Sequence, residues 1–243
     1  MSVKYYIGCS GWHYGHWRGI YYPKELPRSK WLQFYSRQFT TVELNNSFYK
    51  LPSEKAFTTW RESTRDDFIF ALKVSRFITH VKRLENLGSA VENFLSRAIL
   101  LGEKLGPLLY QLPPNMKRND ELLKDFLSSL PPKYQHVIEF RHKSWIDDAV
   151  FNILREHNVG LCVFDMPGFG CPLIGTSDFA YVRFHGSESL YSGCYSDQEL
   201  SQWTQGIARL GKHVKASYIY FNNDVEAFAV KNAITLENYL RNL

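Results

Sequence analysis

The sequence predicts an α/β fold, a (β/α)8 TIM barrel filling residues 1–243 as one domain. Three observations carry that expectation. Short runs rich in Val, Ile, Tyr and Phe recur eight times, each followed by a stretch with helical spacing or a loop. A run begins about every 30 residues, the length of one βα unit, so eight units leave no room for a second domain. No Gly-x-Gly-x-x-Gly follows the first run, which favours a closed barrel over an open doubly wound sheet.

The first strand is expected at Lys4 to Gly8, followed by a long aromatic loop, Cys9 to Pro27, and a helix at Ser29 to Gln38. A loop of that length is expected to be functional or to form a cap. The second strand, Thr40 to Leu44, leads to a helix at Ser53 to Thr64, and the third, Phe68 to Lys73, to one at Ser89 to Leu105. The fourth, Pro107 to Gln111, precedes Asn119 to Leu130, and the fifth, His136 to Phe140, precedes Asp147 to His157. Ser53, Ser89 and Asn119 are the N-cap candidates of their helices. After the sixth strand, Gly160 to Phe164, the segment Asp165 to Phe179 is rich in Gly and Pro, so this connection is irregular and a loop replaces the helix. The seventh strand, Ala180 to His185, leads to Ser196 to Leu210, where Ser196 and Glu199 have capping-box spacing. The eighth, Ser217 to Phe221, leads to Val225 to Leu240.

Composition sets the class. Hydrophobic residues at 44% and charged residues at 22% exclude a disordered or collagen-like chain. A net charge of +5, from 29 basic and 24 acidic residues with no long basic tract, permits an anionic small molecule or nucleic acid as partner without demanding one. The four cysteines form no Cys-x-x-Cys pair, and the N-terminal segment has no basic region followed by an apolar one. The expectation is a cytoplasmic protein with reduced thiols. No window approaches 18 uninterrupted apolar residues, so no membrane span is expected. The aromatic content is high at 16%. Trp12, Trp17, Tyr21, Tyr22, Tyr49, Trp145 and Tyr191 follow strand ends, where they are expected to form an aromatic rim for stacking on sugar or base faces.

In a barrel the chemistry belongs at the carboxyl ends of the strands. Residues two apart share a strand face, which groups Glu43 with Asn45, Glu139 with Arg141, and Arg183 with His185. Lys73, Gln111, Asp165 and Asn222 end or follow the other strands. Glu43, Glu139 and His185 are the candidate catalytic residues. Lys73, Arg141, Arg183, Asn45, Gln111, Asn222, Trp12, Tyr49 and Trp145 are the candidate substrate-binding ones. Guanidinium groups recognise phosphate and carboxylate, and a Glu or His supplies acid/base chemistry. The same charges also suit a buried ion-pair network closing the barrel top. No cofactor is identified. A divalent metal, if bound, would take Glu43, Glu139, Asp165 and His185, but three nearby cations disfavour it. Cys9 with His185 as base is a weaker nucleophile candidate. His13, His16, His80 and His142 fall in loops, where histidines are mostly solvated.

The segments IGCSGWHYGHWRGIYYP, TTVELNNSFYKLPS, FALKVSRFITHVKRL, GEKLGPLLYQLPP, VIEFRHKSW, YVRFHG, YIYFNND and FAVKNA occur in that order. Through them the chain resembles the YecE-like family, domain of unknown function 72, from about Tyr6 to Leu240. The resemblance implies a TIM barrel and no particular reaction. It puts Gly11, Trp12, Glu43, Asn45, Tyr49, Lys73, His80, Gln111, Glu139, Arg141, Trp145, Arg183, His185, Gly186 and Asn222 at motif positions; Met166 to Asp178 is variable. The expected function is an enzyme, a hydrolase or lyase, doing acid/base chemistry on an anionic, phosphate-containing or nucleotide-like substrate. The alternatives are a nucleic-acid or sugar-phosphate binding protein without catalysis, and a metal-dependent phosphodiesterase or endonuclease-like enzyme.

Overall fold

Alternation of strand and helix gives parallel strands, because each crossover helix returns the chain to the same end of the sheet. The computed structural model describes residues 3–243. In chain order the strands are β1 (Lys4–Cys9), β2 (Thr41–Leu44), β3 (Ile69–Lys73), β4 (Leu105–Gln111), β5 (His136–Glu139), β6 (Gly160–Met166), β7 (Phe169–Gly170), β8 (Phe179–Phe184) and β9 (Ala216–Phe221). Eight are parallel, ordered β1-β9-β8-β6-β5-β4-β3-β2, and β7 is a short antiparallel partner of β6. The helices are α1 (Trp31–Gln38), α2 (Asn46–Tyr49), α3 (Glu54–Glu62), α4 (Ala90–Ala98), α5 (Asp120–Ser129), α6 (Asp148–Glu156), α7 (Asp197–Gly211) and α8 (Phe228–Arg241). Each longer helix turns an apolar stripe to the sheet, as α6 does with Val150, Phe151, Ile153 and Leu154. The fold is a TIM-barrel-like sheet, nearly closed, with helices between its strands.

Between β1 and β2 no backbone ladder forms, and side chains bridge the gap instead. The Tyr35 hydroxyl accepts from the Cys9 amide at 2.8 Å and donates to the Thr41 carbonyl at 3.0 Å. A Cβ at Gly8 would lie 2.4 Å from the Thr41 carbonyl oxygen, so only glycine admits this approach.

Ser53 and Asn119 cap their helices, and Ser196 with Glu199 forms a full capping box. Ser89 makes no side-chain cap, and the helix expected to run to Leu105 ends at Ala98, before a turn through Gly102 at φ 58°. The connection after β6 is helix-free as expected. It is a hairpin through β7 and then a loop whose Leu173 fills the space where a Cβ at Gly206 would lie.

Alternation inside the barrel puts Tyr6, Tyr181, Tyr218 and Tyr220 on the inner face, packed with Ala71, Leu109, Val137 and Cys162. Tyr6 and Tyr218 stack at 4.9 Å, and the Tyr220 hydroxyl pairs with Thr41 Oγ1 at 2.7 Å. Part of the aromatic excess therefore fills the barrel itself. The aromatic rim is correspondingly smaller than expected. Trp17, Tyr22 and Trp145 are buried, the last stacked on Phe140 with its indole N–H donating to the Met116 carbonyl. Only Tyr49 and Tyr191 of that set are exposed.

Candidate active site

The inward-facing residues above the tyrosines carry the charges. Arg183 on β8 donates from Nη2 to Glu43 Oε1 at 2.8 Å and from Nη1 to Glu139 Oε2 at 2.6 Å. The Tyr181 hydroxyl donates to Glu43 Oε2 at 2.7 Å, and the Asn45 amide nitrogen lies 3.3 Å from Glu43 Oε1. Arg141 Nε pairs with Glu139 Oε1. Both carboxylates are fully buried, and each oxygen already has a partner. Burial alone would raise the Glu43 carboxyl, but Arg183 and the Tyr181 hydroxyl outweigh it and hold it below the usual range. Against the same burial, Arg141 and Arg183 hold Glu139 well below its ordinary value. The geometry is thus a closed ion-pair network, and the open carboxylates expected of proton-transfer groups are absent at Glu43 and Glu139.

His185 lies over this network. Arg141 Nη2 donates to His185 Nε2 at 2.8 Å, so the neutral ring carries its proton on Nδ1. The Asn222 amide nitrogen lies 3.3 Å from Nδ1; with the ring proton on Nδ1, a hydrogen bond there requires the carboxamide turned so that its oxygen accepts. Burial first, and Arg183 second, push the ring down to about 4, so it is uncharged near neutrality.

Above the floor is a small cup of about 220 Å³, into which Lys73, Arg183, His185, Asn45, Gln111 and Asn222 converge. Tyr14, Tyr49, Tyr191 and Asp224 complete its wall. Lys73 ends β3 at 9% exposure, with Nζ 4.2 Å from the centre of the Phe48 ring. Among the described residues its Nζ joins no ion pair within 4.0 Å and no hydrogen bond, while its carbonyl accepts from Ser47 Oγ at 2.7 Å. Burial, then Arg183, lower its amine to about 8, against a smaller pull from Glu139 and Glu43. Arg183 Nε is also buried without a partner. The first loop braces the wall: the Trp17 indole and His16 reach across the barrel top to Asp224, at 2.8 Å to its carbonyl and 3.2 Å to its carboxylate respectively.

A larger groove of about 510 Å³ shares Tyr14 and Asn45 with the cup and extends outward past Trp12, Trp60, His13 and Arg28. Trp12 therefore stands beside the cup, edge-on to Trp60 at 5.6 Å. Trp145 touches neither space.

Three expectations are corrected. Asp165 is out of phase with the inward set: its neighbour Phe164 faces the barrel, pairing with Arg183 across β6 and β8, while Asp165 points to the helix side, towards Tyr195. The four metal candidates are therefore not assembled, and among the described residues no three His, Cys, Asp or Glu side chains are grouped to hold a metal. Cys9 likewise faces the helix layer, fully buried, with burial raising its thiol, and has no access to His185. Trp145 is a core residue. Tyr181, Tyr14 and Asp224 are site residues that went unsingled in the sequence. Tyr181 had a signal, since the alternation that pairs Arg183 with His185 extends back to it.

A family described as "Protein of unknown function DUF72" matches residues 6–243. The Escherichia coli protein YecE is 33% identical over 138 residues, covering 56% of this chain and 48% of that protein, so the match spans about half the length of that relative. YunF of Bacillus subtilis is 27% identical over 260 aligned residues, 93% of this chain and 91% of that protein. A DUF72 family protein from Thermotoga maritima superposes with a TM-score of 0.89 at 32% identity, covering 98% of this chain and 99% of that one. The match over residues 6–243 and the shared fold agree: the chain belongs to the DUF72 family.

Proposed function

We propose that the cup is the active site of an enzyme, a hydrolase or lyase, that performs acid/base chemistry on a small anionic substrate bearing phosphate or resembling a nucleotide. One observation carries the reading: Lys73 is a buried ammonium with no counter-charge of its own. A largely buried cation that opens on a cup and joins no ion pair suits an anion that arrives as a ligand. The Arg183 guanidinium adds positive charge at the same wall, and Asn45, Gln111 and Asn222 supply neutral polar groups. The adjoining groove, with Trp12 and Trp60, suits a ring attached to the anionic head.

The chemistry divides among these groups. Lys73, lowered to about 8, is the proton carrier poised near neutrality. His185, held neutral between Arg141 and Asn222, forms part of the cup wall and keeps Arg141 in place. Glu43 and Glu139 hold Arg183 rigid beneath. The test is turnover on a panel of phosphomonoesters, phosphodiesters, nucleotides and sugar phosphates. Lys73→Met and His185→Asn are each expected to lose about 100-fold or more while keeping the thermal transition of a folded protein. Full turnover in both variants would overturn the assignment. Ligand affinity without turnover, falling steeply between about 50 and 200 mM salt, would instead mark a nucleic-acid binding protein.

A further inference from the structure

We propose that Lys73 is a nucleophile that forms an imine with an aldehyde or ketone carbon of the anionic substrate. The inference rests on reading the cup as an active site, and it names both the substrate class and the bond made there. The geometry separates Lys73 from an ordinary anion-binding lysine. Both buried carboxylates of the barrel lie in the same network, yet Arg183, Arg141 and Tyr181 saturate them and leave Lys73 aside. Its Nζ rests on the Phe48 ring, an apolar face on one side, and opens on the cup on the other. Burial and the neighbouring guanidinium both disfavour the charged form, bringing the amine to about 8. Roughly a tenth of it is then unprotonated at pH 7, against well under a thousandth for a solvent-exposed lysine. An arginine there would bind anions as well or better, but it has no free lone pair.

The step balances without a further reactant. The Nζ lone pair attacks the carbonyl carbon, a C–N bond forms, and the π electrons move to oxygen, which gains a proton as nitrogen loses one. The nitrogen lone pair then expels the hydroxyl, which takes a second proton and leaves as water, and C=N remains. Asp224, whose carboxyl is raised by burial, lines the same cup as the group able to hold and return the proton. The protonated imine draws electrons from the adjacent carbon, the chemistry a lyase uses to break a neighbouring bond. The Gln111 carboxamide, which lines the cup, remains to hold the anionic group.

The experiment incubates the full chain with pyruvate or with glyceraldehyde 3-phosphate, adds sodium borohydride, and locates the reduced adduct by intact mass and peptide mapping. The expected result is one adduct, at Lys73, formed at least 10-fold faster than at any exposed lysine and missing in Lys73→Arg and Lys73→Met. Adduct with pyruvate alone assigns a carboxylate substrate, and with the phosphate compound alone a phosphorylated one. Labelling scattered over exposed lysines, with Lys73 not preferred, overturns the proposal. Thermal shifts with oxalate and inorganic phosphate, which have no carbonyl electrophile, separate the two readings. Stabilisation by either anion without an adduct at Lys73 overturns the imine and leaves the anion site standing, whereas no stabilisation and no adduct overturn both.

Discussion

A buried lysine held below its ordinary value weakens the fold. Lys73 is lowered to about 8 in the fold from an ordinary value of 10.5. Between those two pH values the unfolded chain holds a proton that the folded chain has released, so stability rises with pH across that window. At about 1.4 kcal/mol per pKa unit, the burden below pH 8 amounts to roughly 3.5 kcal/mol at most. Lys73→Met keeps the length of the stem and removes the charge. It is expected to stabilise the protein by about 1–3 kcal/mol at pH 7 and to abolish the rise between pH 8 and 10.5, as read by urea unfolding across pH. Unchanged or lower stability would mean that the ammonium has a partner in the empty fold. At this scale the sequence was informative wherever alternation applied: Glu43 with Asn45, Glu139 with Arg141, and Arg183 with His185 each meet in one network. It misled where position near a strand end was used without phase. Asp165 is one residue off the inward set, and Trp145 shows that an aromatic in a loop can be a plug of the core.

At the level of elements, the eight strands were legible because β-branched and aromatic runs recur at the βα spacing, and caps at Ser53, Asn119 and Ser196 marked real helix starts. Ser89 had the right residue type but no cap geometry, and the one-turn α2 was too short to leave a periodic signal. The seam between β1 and β2 was not legible at all, because it depends on a side chain of α1 reaching between two strands. Tyr35 satisfies a donor and an acceptor there that the missing ladder leaves open. Tyr35→Phe removes that oxygen while keeping the ring. It strands the Cys9 amide and the Thr41 carbonyl in a buried position, with an expected cost of about 1–3 kcal/mol. Hydrogen exchange should show the Cys9 amide losing protection selectively, with β4 to β6 unaffected. Uniform loss of protection across the sheet, or none, would refute the role of Tyr35 as the closing group.

For the molecule as a whole, the barrel is held at one end by ion pairs and below them by tyrosines, and both facts bear on acid stability. Composition showed the aromatics but not which of them face inward, since that depends on register against neighbouring strands. Glu43 and Glu139 are held below their ordinary values, so their contribution is present at neutral pH and is lost as pH falls through their folded values. His185 acts in the same direction. Its folded value near 4 lies below the ordinary 6.5, so the unfolded ring takes a proton that the folded ring refuses, and stability drops as pH falls between the two. The protein is therefore expected to lose stability from about pH 6.5 downward, His185 accounting for up to roughly 3 kcal/mol by pH 4. His185→Asn should flatten the upper part of that decline, with the lower, carboxylate part retained. Glu139→Gln tests the network itself. It leaves Arg141, and half of Arg183, without a counter-charge in a buried place, and breaking a buried pair in this way costs about 3–5 kcal/mol. Urea unfolding of Glu139→Gln at pH 7 should show that loss; a loss below about 1 kcal/mol would mean that water reaches the guanidinium groups and that the floor of the cup is open.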